Sequence, residues 1–524
     1  MTLPQAVDVL VAGSGAAGLT AALAAAVSGA SVALIERGGK LGGTSALSGG
    51  RVWVPANHLQ DGDSLDTAAG YLDGVYSSRY PELTGTVLRT GPEMLRFVER
   101  HSAHRFAPCP GYPDYDPARP GATAGGRALD MEPIDIRQLT PLAADILMPP
   151  GYLPMSFAEW DRWRYPERFD WDLLRERERT GIRTGGVALV AGLLDGVTAA
   201  GVAVCAGTRL TGVRPGQAEL SRAGQVTTIG VGAVILATGG FDWDPELRAR
   251  YQPAAQRASG APPTNTGDGL RIAESAGAAV DNLAEGWWMP MLAIPGERLA
   301  GAQFYRSLIR ERGLPRQIMV NAAGRRFVNE ALPYNEIGKA LHRELNGQDG
   351  PVHLVFDEGY RLRYPMPGVP WDGPVPGWVA CGGSLAALAA RIGAGPVALT
   401  ETVRRWNAGC AAGTDPEFGR GEGAYQRFCG DPAVRPNPSL GPLDQPPFYA
   451  LEVLAGTIGT KGGPVTDPDG RVLRPDGRPV VGLYAAGNAA AFWTADGYPG
   501  PGATLAAGMT MGYRAGRHAG RAVR

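Results

Sequence analysis

Gly13-Ser14-Gly15-Ala16-Ala17-Gly18 and, further on, Glu36 are residues whose types and spacing suit one piece of chemistry, the binding of a dinucleotide. Gly13 permits a tight turn, Gly15 lets the backbone approach a pyrophosphate, and Gly18 lets a helix pack closely on a strand. A carboxylate at Glu36 accepts from ribose hydroxyls and disfavours a 2′-phosphate. The elements needed to hold these residues are legible around them. Val7–Ala12 is a short apolar run of the kind buried in parallel sheets. Leu19–Val27 is rich in Ala and Leu and predicts a helix, whose N-terminus turns free N–H groups toward the phosphates. Ser31–Ile35 predicts the second strand, ending at Glu36. The fingerprint by itself suits FAD and NAD equally.

Later segments repeat the theme of a strand running into small residues. They are Val231–Gly240, Val481–Asn488, and Gly500–Thr504 ahead of an Ala/Met-rich helix. The chain has 524 residues, enough for two or three structural units with a large core. Its 76 Gly and 44 Pro have no period, which excludes collagen and favours a loop-rich enzyme. Fifty basic and fifty-one acidic residues give a net charge of −1 without a basic stripe, so no nucleic-acid partner is expected. Cys109, Cys205, Cys381, Cys410 and Cys429 share no CxxC spacing and the six histidines are scattered. Neither a disulfide framework nor a metal site is expected, and a cytoplasmic address is. The N-terminus lacks the basic region of a signal peptide.

ERGGKLGGTSALSGG, VILATGGF, TGDGLRIAESAGA, GRRFVNEALPY and GLYAAGN, in this order along nearly the whole chain, resemble the flavoprotein family of soluble fumarate reductases and 3-ketosteroid dehydrogenases. The resemblance implies an α/β fold: a Rossmann-like FAD-binding domain of 1–284 plus 450–524, with an α+β substrate domain of 285–449 inserted. It implies FAD at Gly13, Gly15, Ala16, Ala17, Gly18, Glu36, Arg37, Gly43, Thr44, Ser45, Ser48, Gly49, Gly50, Ala237, Thr238, Gly239, Asp268, Gly487, Asn488, Ala503, Thr504 and Leu505. Relatives with covalent flavin use a His near the second-strand loop. Gly42–Ser45 offers none and His58 lies too far along, so non-covalent FAD is expected.

Within the family the loop before the final helix separates two chemistries. Dicarboxylate reductases carry His and Arg there, whereas residues 492–505 hold no cation and a single charge, Asp496. An unpaired carboxylate is costly to bury, which counts against fumarate. The loop instead resembles the Tyr-x-Gly-x-Gly run of the 3-ketosteroid dehydrogenases, as do FDWDPELR, GWWMPMLAIPG, FGRGEGAYQRF, NPSLGPLDQPPFYAL and GTKGGPVTD. The Δ4 relatives place Ser where this chain has Gly500, which favours the Δ1 enzymes. The expected reaction is desaturation of C1–C2 in a 3-ketosteroid. The alternatives are a 4-ene-(5α)-dehydrogenase, a desaturase of another cyclic ketone, a fumarate reductase-type enzyme, and a flavoprotein without catalysis.

Removing hydrogens α and β to a ketone takes a hydride acceptor, an electrophile for the ketone oxygen and a base for the α proton. By the resemblance, Tyr498 and the Gly502 N–H hold the carbonyl, Tyr334 is the base at C2, and Tyr115 relays its proton. Asp496, close to Tyr498, is expected to raise that phenol's pKa or to change the ring accepted. Asn329-Glu330 is expected to be scaffold or flavin support. Trp287–Leu292 suits both a pocket wall and hinge packing. The aromatic stretch 151–171 suits a lid, a weakly membrane-associated face or, first of all, a surface helix. The reduced flavin needs a separate electron acceptor.

Overall fold

The computed structural model describes residues 3–74, 76, 79–109, 111–347, 350–494 and 496–523. Its first sheet grows from the apolar runs. β1 (Ala6–Ala12) lies between β2 (Val32–Ile35) and β4 (Gln225–Leu236), parallel to both, with β3 (Ala203–Cys205) beyond β2. Val9, Leu10 and Val11 are fully buried, which is why the strand shows a continuous apolar run and no alternation. Helices cover the sheet: α1 (Ala16–Val27), the short α2 (Gly43–Leu47) and α3 (Gly185–Ala199).

The main path of the second sheet is antiparallel, in the order β6 (Ala302–Ser307), β5 (Gly286–Leu299), β9 (Phe448–Thr460), β8 (Val352–Asp357), β7 (Gln317–Val320), with Ala258–Ser259 joining β9 in parallel. Helix α4 (Tyr334–Gly347) packs on β5 and β9. β9 pairs with β5 on one side and β8 on the other, and after Thr460 the chain returns to the first sheet. There β10 (Pro479–Ala485) joins β4 in parallel and leads into α5 (Ala503–Ala522).

The contact between α1 and α5 does the most to position the site. A Cβ on Gly512 would lie 2.3 Å from the Ala17 carbonyl oxygen, and one on Gly516 would lie 2.2 Å from that of Ala21. Glycine at these positions lets the helices touch backbone to backbone. That contact sets the start of α5, with Gly502 before it, beside the N-terminus of α1. Among the described residues no helix is long and apolar enough to cross a membrane.

Candidate active site

Gly13 has φ +112°, and a Cβ there would lie 2.2 Å from the Ala237 carbonyl oxygen, where β1 and β4 end side by side. A Cβ on Gly18 would lie 2.0 Å from the Gly13 carbonyl oxygen. These are backbone clashes, so only glycine lets the turn close. The N-terminus of α1 has no side-chain cap at Gly15. Glu36 accepts from Ser14 N (3.1 Å), Ser14 Oγ (2.6 Å) and Gly38 N (2.7 Å), while Gly42 N donates to Ser14 Oγ at 2.8 Å. The fingerprint and the Gly42–Ser45 turn are thereby tied together. Arg37 is held by Thr266 and by Asp268, 3.2 Å away.

Every residue expected at the cofactor except Gly18 and Ala503 lines one continuous cleft. Gly18 lies beneath the turn it permits, and Ala503 is buried in the α5 contact. The wall suits an FAD: an open helix N-terminus and small residues for a pyrophosphate, an acid at Glu36 for a ribose. Among the described residues no histidine lines the cleft, and His58 pairs with Glu99 at 2.8 Å.

Tyr115, Tyr334, Tyr498 and Gly502 line the same cleft. Tyr334 opens α4, Tyr498 sits in the loop before α5, and Tyr115 lies in the loop after β-strand Phe106–Pro108. Their rings meet edge to face, with centroids 5.7 Å (115–334), 5.2 Å (115–498) and 5.3 Å (334–498) apart. The Tyr498 loop is clamped on both sides. Gly497 O accepts from Lys461 Nζ and Thr494 Oγ1, each at 2.7 Å; Pro499 O accepts from Tyr71 Oη at 2.5 Å and Tyr115 N at 3.1 Å. Asp114 anchors the Tyr115 loop, accepting from Trp53 Nε1 at 2.7 Å and Arg127 Nη1 at 2.8 Å. Gly502 has φ +95°, and its Cβ would meet the Arg51 carbonyl oxygen at 2.4 Å.

Burial drives all three phenols above their ordinary pKa, Tyr115 and Tyr334 well above it. Hydrogen bonding orders them. Tyr115 pulls the Tyr334 phenol down, and Tyr334 in turn supports Tyr498, which the Thr504 hydroxyl and Gly502 amide also lower. The Gly502 amide thus bears on the Tyr498 phenol itself, and both residues line the cleft. The Asp496 side chain is 63% exposed and pairs with Lys339 at 3.1 Å.

The strand period sorts the Trp287–Leu292 run. Trp287 and Met289 line the cleft, and Trp288 packs away from it on His342, 4.4 Å between centroids. Pro149, Gly151, Tyr152, Leu153, Met155 and Phe157 also line the cleft, and the expected surface helix follows at Phe157–Trp163, which has no fully buried residue. Glu330 is scaffold, buried between Arg326 (2.8 Å) and Arg420 (3.1 Å). Two residues escaped the sequence reading. Lys461 stands 4.0 Å over the Trp287 ring, and Arg51 brings a cation to the cleft from outside the 492–505 loop. Neither has a spacing that marks it.

The family model described as an FAD binding domain matches residues 8–505. The chain belongs to this FAD-binding family. It is an FAD-dependent oxidoreductase with FAD as its cofactor. Among the similar members of the family is a 4-oxocyclohexanecarboxylate 2-dehydrogenase of Sinomonas cyclohexanicum, 42% identical over 97% of this chain and 92% of its own. A 3-oxosteroid 1-dehydrogenase of Mycolicibacterium smegmatis is 38% identical over 98% of this chain and 96% of its own. Among solved structures, the 3-ketosteroid Δ1-dehydrogenase of Sterolibacterium denitrificans in complex with 1,4-androstadiene-3,17-dione superposes with a TM-score of 0.93. That enzyme is 33% identical, with 99% of this chain and 100% of that chain covered.

Proposed function

We propose that this enzyme dehydrogenates a ring ketone of the 3-ketosteroid type, placing a double bond between C1 and C2. The observation that carries the reading is the buried triangle of Tyr115, Tyr334 and Tyr498 with the Gly502 amide, set in the same cleft as the FAD cradle. The Tyr498 hydroxyl and the Gly502 N–H donate to the ketone oxygen and stabilise the enolate, one such donor being worth about 2.7–4 kcal/mol in comparable sites. Polarising the carbonyl acidifies the C2 proton, which Tyr334 takes as phenolate. Tyr115 hydrogen-bonds Tyr334 and passes that proton on. Bound FAD supplies the acceptor for the hydride that leaves C1. The aromatic walls and the 149–157 segment keep water from the enolate. The electrons taken up by FAD would pass to a separate acceptor, and we place the enzyme in the cytoplasm.

A second reading changes the substrate and keeps the reaction. A single-ring ketone, of the oxocyclohexanecarboxylate kind named for the Sinomonas relatives, offers the tyrosines the same α and β carbons. Arg51 on the cleft wall favours it.

The test is anaerobic mixing of FAD-loaded enzyme with 4-androstene-3,17-dione and with 4-oxocyclohexanecarboxylate. Flavin bleaching with a product lighter by two hydrogens and unsaturated next to the ketone is expected. Unbleached flavin with every ring ketone overturns the proposal.

A further inference from the structure

One wall of the cleft carries charge that ketone desaturation does not use. Arg51 is only 6% exposed yet lines the cleft. Its guanidinium is sandwiched 4.5 Å from the Tyr112 ring centroid and 4.0 Å from that of Phe157. Behind it lies a second buried guanidinium, Arg310, over Tyr112 at 5.1 Å, Trp160 at 4.7 Å and Phe428 at 4.9 Å. One carboxylate touches both: Asp161 is 3.5 Å from Arg51 Nη2 and pairs with Arg310. Asp130 and the Cys109 thiol lie near enough to be felt by Arg51, but Asp130 accepts from the amides of Met131 (3.0 Å) and Ala158 (3.1 Å). Arg51 Nε and Nη2 have no hydrogen-bond partner among the described residues.

A desolvated guanidinium with unfilled donors is destabilising unless something completes it. The apolar flank of a fused-ring skeleton cannot do so. A planar carboxylate can, because the guanidinium fork matches its two oxygens. The Arg51 backbone abuts Gly502, and its charge is within electrostatic range of Tyr115, so an anion held there belongs to the reacting ring or its immediate substituent. We infer that Arg51, backed by Arg310, is a carboxylate subsite, and that the ring ketone this enzyme desaturates carries a carboxylate. The inference rests on the ring-ketone reading above and narrows its substrate.

The experiment compares 4-oxocyclohexanecarboxylate, its neutral counterpart 4-methylcyclohexanone, and 4-androstene-3,17-dione as reductants of the FAD-loaded enzyme. The wild type is expected to favour the oxo acid over the neutral single ring by about 100-fold in kcat/KM, as sites built around a polar partner do. Arg51→Leu is expected to shrink that ratio at least about tenfold, with Arg51→Lys between the two. In parallel, calorimetric titration with cyclohexanecarboxylate, which has no ketone to react, is expected to show binding that weakens about tenfold in Arg51→Leu and at high salt. Should Arg51→Leu not fold, wild-type selectivity and the Lys variant decide. Equal or better turnover of either neutral ketone by the wild type overturns the subsite and leaves desaturation standing. If no ketone reduces the flavin, the desaturation reading falls, while the titration still decides for or against the subsite.

Discussion

The ring of Tyr334 stands edge-on to that of Tyr498, centroids 5.3 Å apart and planes at 73°, although one opens a helix on the second sheet and the other sits in a loop leaving the first. The two phenols therefore share one small volume and act on each other, while each also has partners of its own. Tyr498 has the Gly502 amide and Thr504 hydroxyl, and Tyr334 has Tyr115. In the proposed reaction an electrophile for the ketone oxygen and a base for the neighbouring carbon need that arrangement.

Replacing Tyr498 or Tyr334 by Phe removes one hydroxyl and leaves the ring packing. Loss of the base is expected to slow flavin reduction by roughly 10²–10⁴-fold. Loss of the oxyanion donor is expected to cost about 10²–10³-fold. Stopped-flow flavin bleaching measures both, with FAD content as the control for folding. Wild-type rates in either variant remove that residue from the mechanism.

The rate should climb with pH. Burial raises Tyr334, so at neutral pH its phenolate is scarce, and each step toward alkaline pH increases the active fraction. Tyr115 pulls Tyr334 the other way. Tyr115→Phe is therefore expected to move the alkaline rise to higher pH, read from a pH series of single-turnover rates. A flat profile contradicts a tyrosine base.

Gly13→Ala places a methyl 2.2 Å from the Ala237 carbonyl oxygen, in a φ region that alanine avoids. The variant is expected to purify without yellow colour. In the wild type, acid precipitation is expected to release the FAD to the supernatant, since no histidine among the described residues lines the cleft. A yellow pellet signals a covalent bond.

Lys461 holds Gly497 O, directly before Tyr498, and burial lowers its pKa to about 7. Lys461→Met is expected to loosen the carbonyl loop and lower kcat more than it raises KM, by about tenfold if one net hydrogen bond to a charged group is lost. Kinetics in a substrate titration separate the two effects. An unchanged kcat shows the loop to be held without it.

His104, His342 and His353 are pushed by burial to about 4. Between pH 4 and the unfolded value of 6.5 the unfolded chain binds protons at these positions and the folded chain does not. Stability contributed by the neutral rings therefore rises with pH through that window. Asp242, raised to about 6, works in the opposite sense. His342 meets Trp288 edge to face without a hydrogen bond from its ring nitrogens among the described residues, so His342→Phe is expected to fold and to flatten the Tm-against-pH curve. An unchanged slope assigns it elsewhere.

The glycine fingerprint, Glu36, the alternating strands and helices and the Tyr498 loop are readable in order because each answers a local demand. Gly13 must take φ +112° and Gly502 φ +95°, and those needs are met by the residue itself. Arg51 is different. Nothing beside it in the chain says that Phe157, Tyr112 and Arg310 will enclose it, or that Asp496 will turn out to solvent while Arg51 stays inside. The place of β9 in the second sheet likewise depends on pairing with β5 and β8 across long loops. Backbone conformation and apolar periodicity are short-range properties, so the linear chain already settles the cofactor fold and the kind of reaction. The energy of a charge is set by how much water distant segments remove from it, so only the folded cleft decides which groups meet the substrate charged and which phenols remain protonated.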